Sequence, residues 1–182
     1  RIVRCVPQKD YATWGKCSQT MEQIISDVCE VTPSINYSSF TLPEVVGNNI
    51  DGKIGDHGFD KKNKLIPNCM SASAKIKENV VVDNGANVHY LIHVDDVVEE
   101  LINSLNDTKN QVRFIGPALS ATSREIIESC IKVTAGKYSF VENRYDKEDL
   151  EFICDNKNAN ITCLDTITKS TWNWIKTIRK IP

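Results

Sequence analysis

The sequence predicts an α/β fold in which helices are layered on a largely parallel sheet. From about residue 88 onward, short β-branched runs alternate with helical apolar stripes, which is typical of strands joined by helical crossovers. Seven cysteines in 182 residues further indicate a fold stapled by disulfides. We therefore expect a layered, disulfide-bonded α/β protein.

The N-terminal part predicts a strand, a helix and a loop-rich insertion. Ile2 to Val6 form a strand pattern that ends at Pro7, and Ser18 opens a helix with apolar residues at helical spacing. Residues from about 32 to 70 are rich in proline and glycine. We expect them to form an insertion with one short strand, at Phe40 to Val46.

A hairpin and a helix are expected next. Val80 to Val82 and Val88 to Val94 resemble two strands around the turn Asp83 to Gly85. Asp96, followed three residues later by Glu99, resembles the start of a capped helix.

Five elements complete the chain. The pattern predicts strands at Val112 to Ile115 and Tyr138 to Val141, a helix from Thr122, a short helix at Asp146 to Ile153, and a terminal amphipathic helix from Asp165.

An internal similarity predicts two related halves. Residues 2–13 and 111–122 align at an offset of 109 with Val, Arg, Ala and Thr identical. We therefore divide the chain into an N-terminal half, 1–109, which holds the insertion, and a C-terminal half, 110–182. The segments after the two equivalent strands, 7–13 and 116–122, would line any pocket between the halves.

The charge and the hydropathy of the sequence limit the classes of partner that the protein can have. Lys and Arg number 22 against 24 Asp and Glu, for a net charge of −2, and the basic residues are scattered rather than clustered. This argues against a nucleic-acid partner. No apolar run approaches the roughly 18 residues that a membrane-spanning helix needs. We expect neither nucleic acid nor a membrane span.

Cysteines and glycosylation signals indicate secretion. The cysteines form no Cys-x-x-Cys pair of the zinc or redox type, and the chain opens at Arg1, as a mature product would after signal-peptide removal. Cys130, on an apolar helix face, is the expected free thiol. The disulfide candidates are Cys5, Cys17, Cys29, Cys69, Cys154 and Cys163, and the sequons predict glycans at Asn36, Asn106 and Asn160.

One candidate metal site emerges from the strand pattern. His89, His93 and Asp95 occupy alternate positions, so they share one face if the strand continues through Asp95. Imidazole and carboxylate groups are suitable ligands for zinc or iron. The alternative is a helix cap at Asp95 or Asp96 beside two surface histidines.

Two stretches resemble the transferrin family, particularly its insect members. Val3 to Gln8, followed by Lys16-Cys17, is similar to the first strand and helix entry of a transferrin lobe. Phe152-Ile153-Cys154, followed by Cys163 to Ile167, is similar to a paired-cysteine segment of such a lobe. The resemblance implies a periplasmic-binding-protein-like architecture with a degenerate or absent iron site.

The expected function is that of a secreted, extracellular glycoprotein acting as a non-enzymatic binding or recognition module for an extracellular protein or a small ligand. Signatures for dinucleotides, Walker-type loops and zincins are absent from the sequence, which argues against dehydrogenases, kinases and zinc proteases. The sequence leaves the cofactor unknown. The alternatives are a secreted metal-dependent enzyme centred on His89, His93 and Asp95, or a structural matrix protein.

Overall fold

A computed structural model describes residues 2–7, 12–56, 64–73, 85–134 and 160–180. Within these ranges the chain forms six strands and five helices. In chain order they are β1 (Ile2–Pro7), α1 (Ala12–Val31), β2 (Tyr37–Leu42), β3 (Glu44–Val46), α2 (Leu65–Ser73), β4 (Val88–His93), α3 (Val94–Ser104), β5 (Gln111–Phe114), β6 (Leu119–Thr122), α4 (Ser123–Thr134) and α5 (Leu164–Arg179). None of the described helices is long and apolar enough to cross a membrane.

The first sheet is entirely parallel, with the order β1-β2-β5. Helix α1 connects β1 to β2, as parallel neighbours require. The central strand β2 is buried along nearly its whole length, which is typical of a parallel strand covered on both faces. Arg4 pairs with Glu22 of α1 at 2.6 Å and thereby ties the helix to the sheet.

The second sheet has the order β3-β4-β6, with β3 parallel and β6 antiparallel to β4. Pro43 separates β2 from β3, and it has no N–H to continue a ladder. The predicted strand at 40–46 is therefore two short strands that belong to different sheets.

Within the described part of the chain, two apolar clusters form the core. One contains Phe40 and Leu42 of β2 together with Ile92 of β4, so strands of both sheets contribute to it. The other lies between β4 and helices α2, α4 and α5, where Met70 and Ile175 are fully buried. These clusters hold the second sheet between its helices and the first sheet.

Several local predictions are confirmed. Helix α4 starts with the capping pattern: Thr122 N donates to Glu125 Oε2 at 2.8 Å, and Glu125 N donates to Thr122 Oγ1 at 3.2 Å. The terminal helix is present as α5. The elements expected at 80–82, 138–141 and 146–153 lie outside the described residues.

The expectation of periplasmic-binding-protein-like halves is not supported. Strands β1 and β5, expected to hold equivalent places in two halves, both pair with β2 as opposite neighbours in one sheet. This sheet joins strands from both sides of residue 109. The division of the chain at that residue stays a prediction. The insertion expected at 32–70 also contains β2, β3 and most of α2. Its prolines do not interrupt these elements, because they lie between elements or in the first turn of a helix.

Candidate functional site

A histidine, a carboxylate and a hydroxyl converge at the beginning of β4. His89 Nδ1 lies 3.2 Å from Glu44 Oε2, and His89 Nε2 lies 3.0 Å from Ser123 Oγ. We call Glu44, His89 and Ser123 the His89 cluster. In the tautomer that carries its proton at Nδ1, the ring donates to Glu44 and accepts at Nε2 from the Ser123 hydroxyl.

The strand registers explain why these residues meet. Glu44 is the partner of Leu91, and His89 shares a face of β4 with Leu91 because side chains repeat every two residues. On the other side of β4, His89 pairs with Ala121 of β6. Ser123, two residues later, is the first residue of α4.

The His89 cluster contains a carboxylate, an imidazole and a hydroxyl in sequence, as a catalytic triad does. It lacks the surroundings that an activated serine nucleophile needs. Ser123 is fully buried, so its hydroxyl is not open to a substrate. Its N–H donates to Asn87 O at 2.8 Å, and the Arg124 N–H donates to Gly85 O at 3.1 Å. Both amides are thus engaged rather than free to stabilise an oxyanion. The cluster meets solvent through His89 and Glu44, whose side chains keep 16% and 35% of their surface exposed.

An exposed cation adjoins the cluster. Arg124 follows Ser123 on α4, and its guanidinium lies over Gly85: a Cβ on Gly85 would stand 3.6 Å from Arg124 Nε and Nη2. Gly85 has φ +83°, a conformation that favours glycine. The first turn of α4 therefore carries a positive charge on the residue next to Ser123 of the His89 cluster, at a helix end where the dipole favours anions.

His93 belongs to a different, fully buried site. Its Nδ1 accepts from Asp95 N at 3.1 Å, so His93 is the N-cap of α3, and its Nε2 lies 3.2 Å from Ser170 Oγ of α5. Burial lowers the pKa of His93, although the charges of Asp95 and Asp96 act against this shift. The ring is therefore neutral and structural.

Asp96 anchors the segment before α5. Its carboxylate accepts from the N–H groups of Asn160 and Ile161, both at 3.0 Å, and of Thr162 at 2.7 Å, and from the Thr162 hydroxyl. The side chain is almost wholly buried. Several hydrogen-bond donors stabilise a buried carboxylate and offset the free-energy cost of removing its charge from water.

The predicted metal site is not assembled. Strand β4 ends at His93 and helix α3 starts at Val94, so Asp95 does not share a strand face with His89. His89 faces Glu44 and Ser123, whereas His93 and Asp95 belong to the helix cap. In the part of the chain that the structure describes, no three His, Cys, Asp or Glu residues could hold a metal ion together.

The cysteines do not support a disulfide-stapled fold. Among the described residues, none of the cysteines forms a disulfide: Cys5, Cys17 and Cys163 are exposed, and Cys29, Cys69 and Cys130 are buried. Cys154 lies outside the described residues. Cys163 serves as the N-cap of α5 through its sulfur, which accepts from Thr166 N at 3.4 Å.

The three sequon asparagines stay untested as glycan sites. Asn106 and Asn160 are exposed, and Asn36 is half-buried beside β2. Of the segments expected to line a pocket between the halves, 116–122 contributes Leu119, Ser120 and Ala121 to the described cleft, of about 360 Å³, which lies between β6, α4 and α5. Residues 8–11 of the other segment lie outside the described residues.

Comparison with known proteins identifies the fold. No family model and no curated protein sequence matches the chain. Among solved structures, it is similar to the UDP-glucose 4-epimerase of Brucella ovis in complex with NAD, with TM-score 0.77 and 19% identity over 93% of this chain and 63% of the other.

Two further structures have the same fold. One is the UDP-glucose 4-epimerase of Stenotrophomonas maltophila with bound NAD and formylated UDP-arabinopyranose (TM-score 0.74, 19% identity, 97% of this chain and 60% of that chain). The other is the dTDP-glucose 4,6-dehydratase of Bacillus anthracis in complex with NAD (TM-score 0.65, 15% identity, 96% and 54%). The chain spans about 60% of the length of the first of these.

These likenesses correct the sequence-based assignment. The fold is the Rossmann-like fold of nucleotide-sugar epimerases and dehydratases, so the resemblance to transferrins is wrong. The descriptions as a transferrin-like glycoprotein and as a non-enzymatic binding module are overturned with it, since the similar structures are enzymes. Secretion and an extracellular protein or small-ligand partner stay predictions.

Proposed function

We propose that this chain binds a nucleotide-linked sugar and contributes to an enzyme that modifies the sugar. The observation that supports this most is the shared fold: at TM-scores of 0.65 to 0.77, over 93 to 97% of the chain, the compared structures are epimerases and a dehydratase of nucleotide sugars. The chain also contains a polar site with a cation, formed by the His89 cluster and Arg124.

The chemistry of this site suits a diphosphate. A nucleotide diphosphate carries negative charge on oxygens, which guanidinium groups bind with two N–H donors. Arg124 is an exposed guanidinium at the start of α4, where the helix dipole adds to its attraction for an anion. His89 is held in place by Glu44 at Nδ1 and by Ser123 at Nε2, and the 16% of its side chain that stays exposed offers a polar surface beside the start of α4.

The similar structures contain NAD, and this chain's residues do not fit that cofactor by the usual criterion. A dinucleotide's pyrophosphate needs a glycine-rich turn between a strand and a helix. The connection between β1 and α1, residues 8–11, contains no glycine, and the sequence contains no Gly-x-Gly-x-x-Gly. We therefore propose binding of the sugar nucleotide alone.

Calorimetric titration of the protein with UDP-glucose tests the proposal. We expect binding that weakens about 10-fold or more in Arg124→Gln, because a charged hydrogen bond contributes about 1.5–3 kcal/mol. Arg179→Gln, at an exposed position on α5, is the matched control and should bind as the wild type does. His89→Gln should also weaken binding.

Two results would contradict this proposal. One is the absence of heat and of thermal stabilisation at millimolar UDP-glucose and dTDP-glucose. The other is equal affinity in the Arg124 and Arg179 variants, which would remove the diphosphate from the start of α4.

A further inference from the structure

Two buried cysteines lie on the neighbouring helices α2 and α4. Cys69 and Cys130 are both fully buried and belong to the same apolar cluster. Helix α2 packs directly against α4, and both pack against α5. The pKa of the Cys130 thiol is raised by its interaction with Cys69, which agrees with two neighbouring side chains. The structure thus holds two thiols close together, on neighbouring helices, within its main core.

The sequence does not make this pair evident. The two cysteines are sixty-one positions apart, and the apolar helix face of Cys130 indicates an isolated core residue. Tertiary packing brings the two side chains into one cluster. A thiol in an apolar core normally has only apolar neighbours, so a thiol with a second thiol nearby has a partner for oxidation.

We infer that Cys69 and Cys130 are a redox pair, which two-electron oxidation by a small disulfide such as glutathione disulfide converts into a cross-link between α2 and α4. The first step forms a mixed disulfide and releases one glutathione thiol. The second cysteine then attacks it, forms the Cys69–Cys130 bond and releases the second glutathione. Both cysteine protons leave, and two glutathione molecules carry the electrons.

Burial determines how this reaction proceeds. The interaction with Cys69 and burial raise the pKa of the Cys130 thiol well above its ordinary value. The thiolate is scarce in the closed structure, so oxidation requires local opening of α2, a short helix of 9 residues. We expect a slow reaction that accelerates in low concentrations of urea and yields a product that is hard to reduce once the core closes.

The cross-link would constrain the part of the chain that carries the His89 cluster. It closes a loop that contains β4, α3 and the start of α4, and therefore His89 and Ser123. Restricting this loop in the unfolded state should raise the melting temperature by several degrees. The inference does not depend on the proposed function, because the thiol pair belongs to the core and not to the ligand site.

The test is oxidation of the whole protein in glutathione buffers of increasing disulfide fraction, with and without low urea. After acid quenching, free thiols are alkylated under denaturing conditions and mapped by mass spectrometry. We expect Cys69 and Cys130 to lose alkylation together, with one linked peptide pair and no bound glutathione. Cys29→Ala, at another buried thiol, should leave the cross-link intact, whereas Cys69→Ala should abolish it.

Persistence of both thiols in low urea, at the most oxidising ratio used, would overturn the inference. Glutathione adducts on either cysteine, or linkage of either to a different cysteine, would do the same. Because the mapping is made on wild-type protein, a folding defect in the Cys69 variant does not obscure the result.

Discussion

Removing the charge of Asp96 should release the segment before α5 and destabilise the protein strongly. In Asp96→Asn, one carboxylate oxygen becomes an amide NH₂. The oxygen that remains can still accept from Asn160 N and Ile161 N, while the NH₂ faces the N–H and hydroxyl of Thr162. The hydroxyl can rotate to accept, but the backbone N–H cannot.

The magnitude follows from these contacts. A buried donor without a partner costs about 1–3 kcal/mol, and the change from a charged to a neutral acceptor weakens the other two bonds. We expect a loss of about 2–4 kcal/mol in the free energy of unfolding. For a chain of this size, that corresponds to about 4–16 °C in melting temperature.

Urea denaturation followed by circular dichroism measures this loss. Glu99→Gln, an exposed carboxylate on the same helix, is the matched control and should change stability by less than about 0.5 kcal/mol. A loss in Asp96→Asn below about 1 kcal/mol would refute the reasoning, since it would show that the four hydrogen bonds do not anchor the segment.

Two further predictions concern the cap of α3. Gly47→Ala should destabilise the protein more than Gly52→Ala does, by at least about 1 kcal/mol. Both glycines have positive φ, but only a Cβ at Gly47 would strike the His93 ring, at 2.4 Å. Equal melting temperatures for the two variants would contradict this prediction. Since burial lowers the pKa of His93 in the folded state, the unfolded state binds more protons below its ordinary pKa, about 6.5. The contribution of His93 to stability should therefore be complete above this pH and decrease as the pH falls toward the folded-state pKa. Urea titrations between pH 7.5 and 5 should show a smaller decrease in stability for His93→Gln than for the wild type. Identical pH profiles of the two proteins would exclude His93 as the cause.

The sequence by itself determined the local elements. Apolar residues at helical spacing and the reciprocal pair Thr122 and Glu125 identify α4, and the same spacing identifies α5. The alternation of strands and helices indicates an α/β fold with parallel pairing, which the structure confirms in the first sheet. These features are predictable because they depend on neighbours a few positions apart.

Short sequence patterns gave wrong predictions for features that depend on contacts between distant parts of the chain. The stretch around Cys5 resembles a transferrin strand, but six or eight residues specify a strand and a turn and not a whole fold. The alternation through His89, His93 and Asp95 predicts one face only if the strand continues, and α3 interrupts it at Val94.

Only the tertiary structure decided which polar groups meet. Glu44, His89 and Ser123 come from three elements far apart in sequence, and the registers of β3, β4 and β6 bring them together. Cys69 and Cys130 meet in the same way, through the packing of α2 on α4. Strand register and helix packing arise from the cooperative burial of the whole core, whereas sequence periodicity reports only which face of an element is apolar, so it cannot specify the partner opposite.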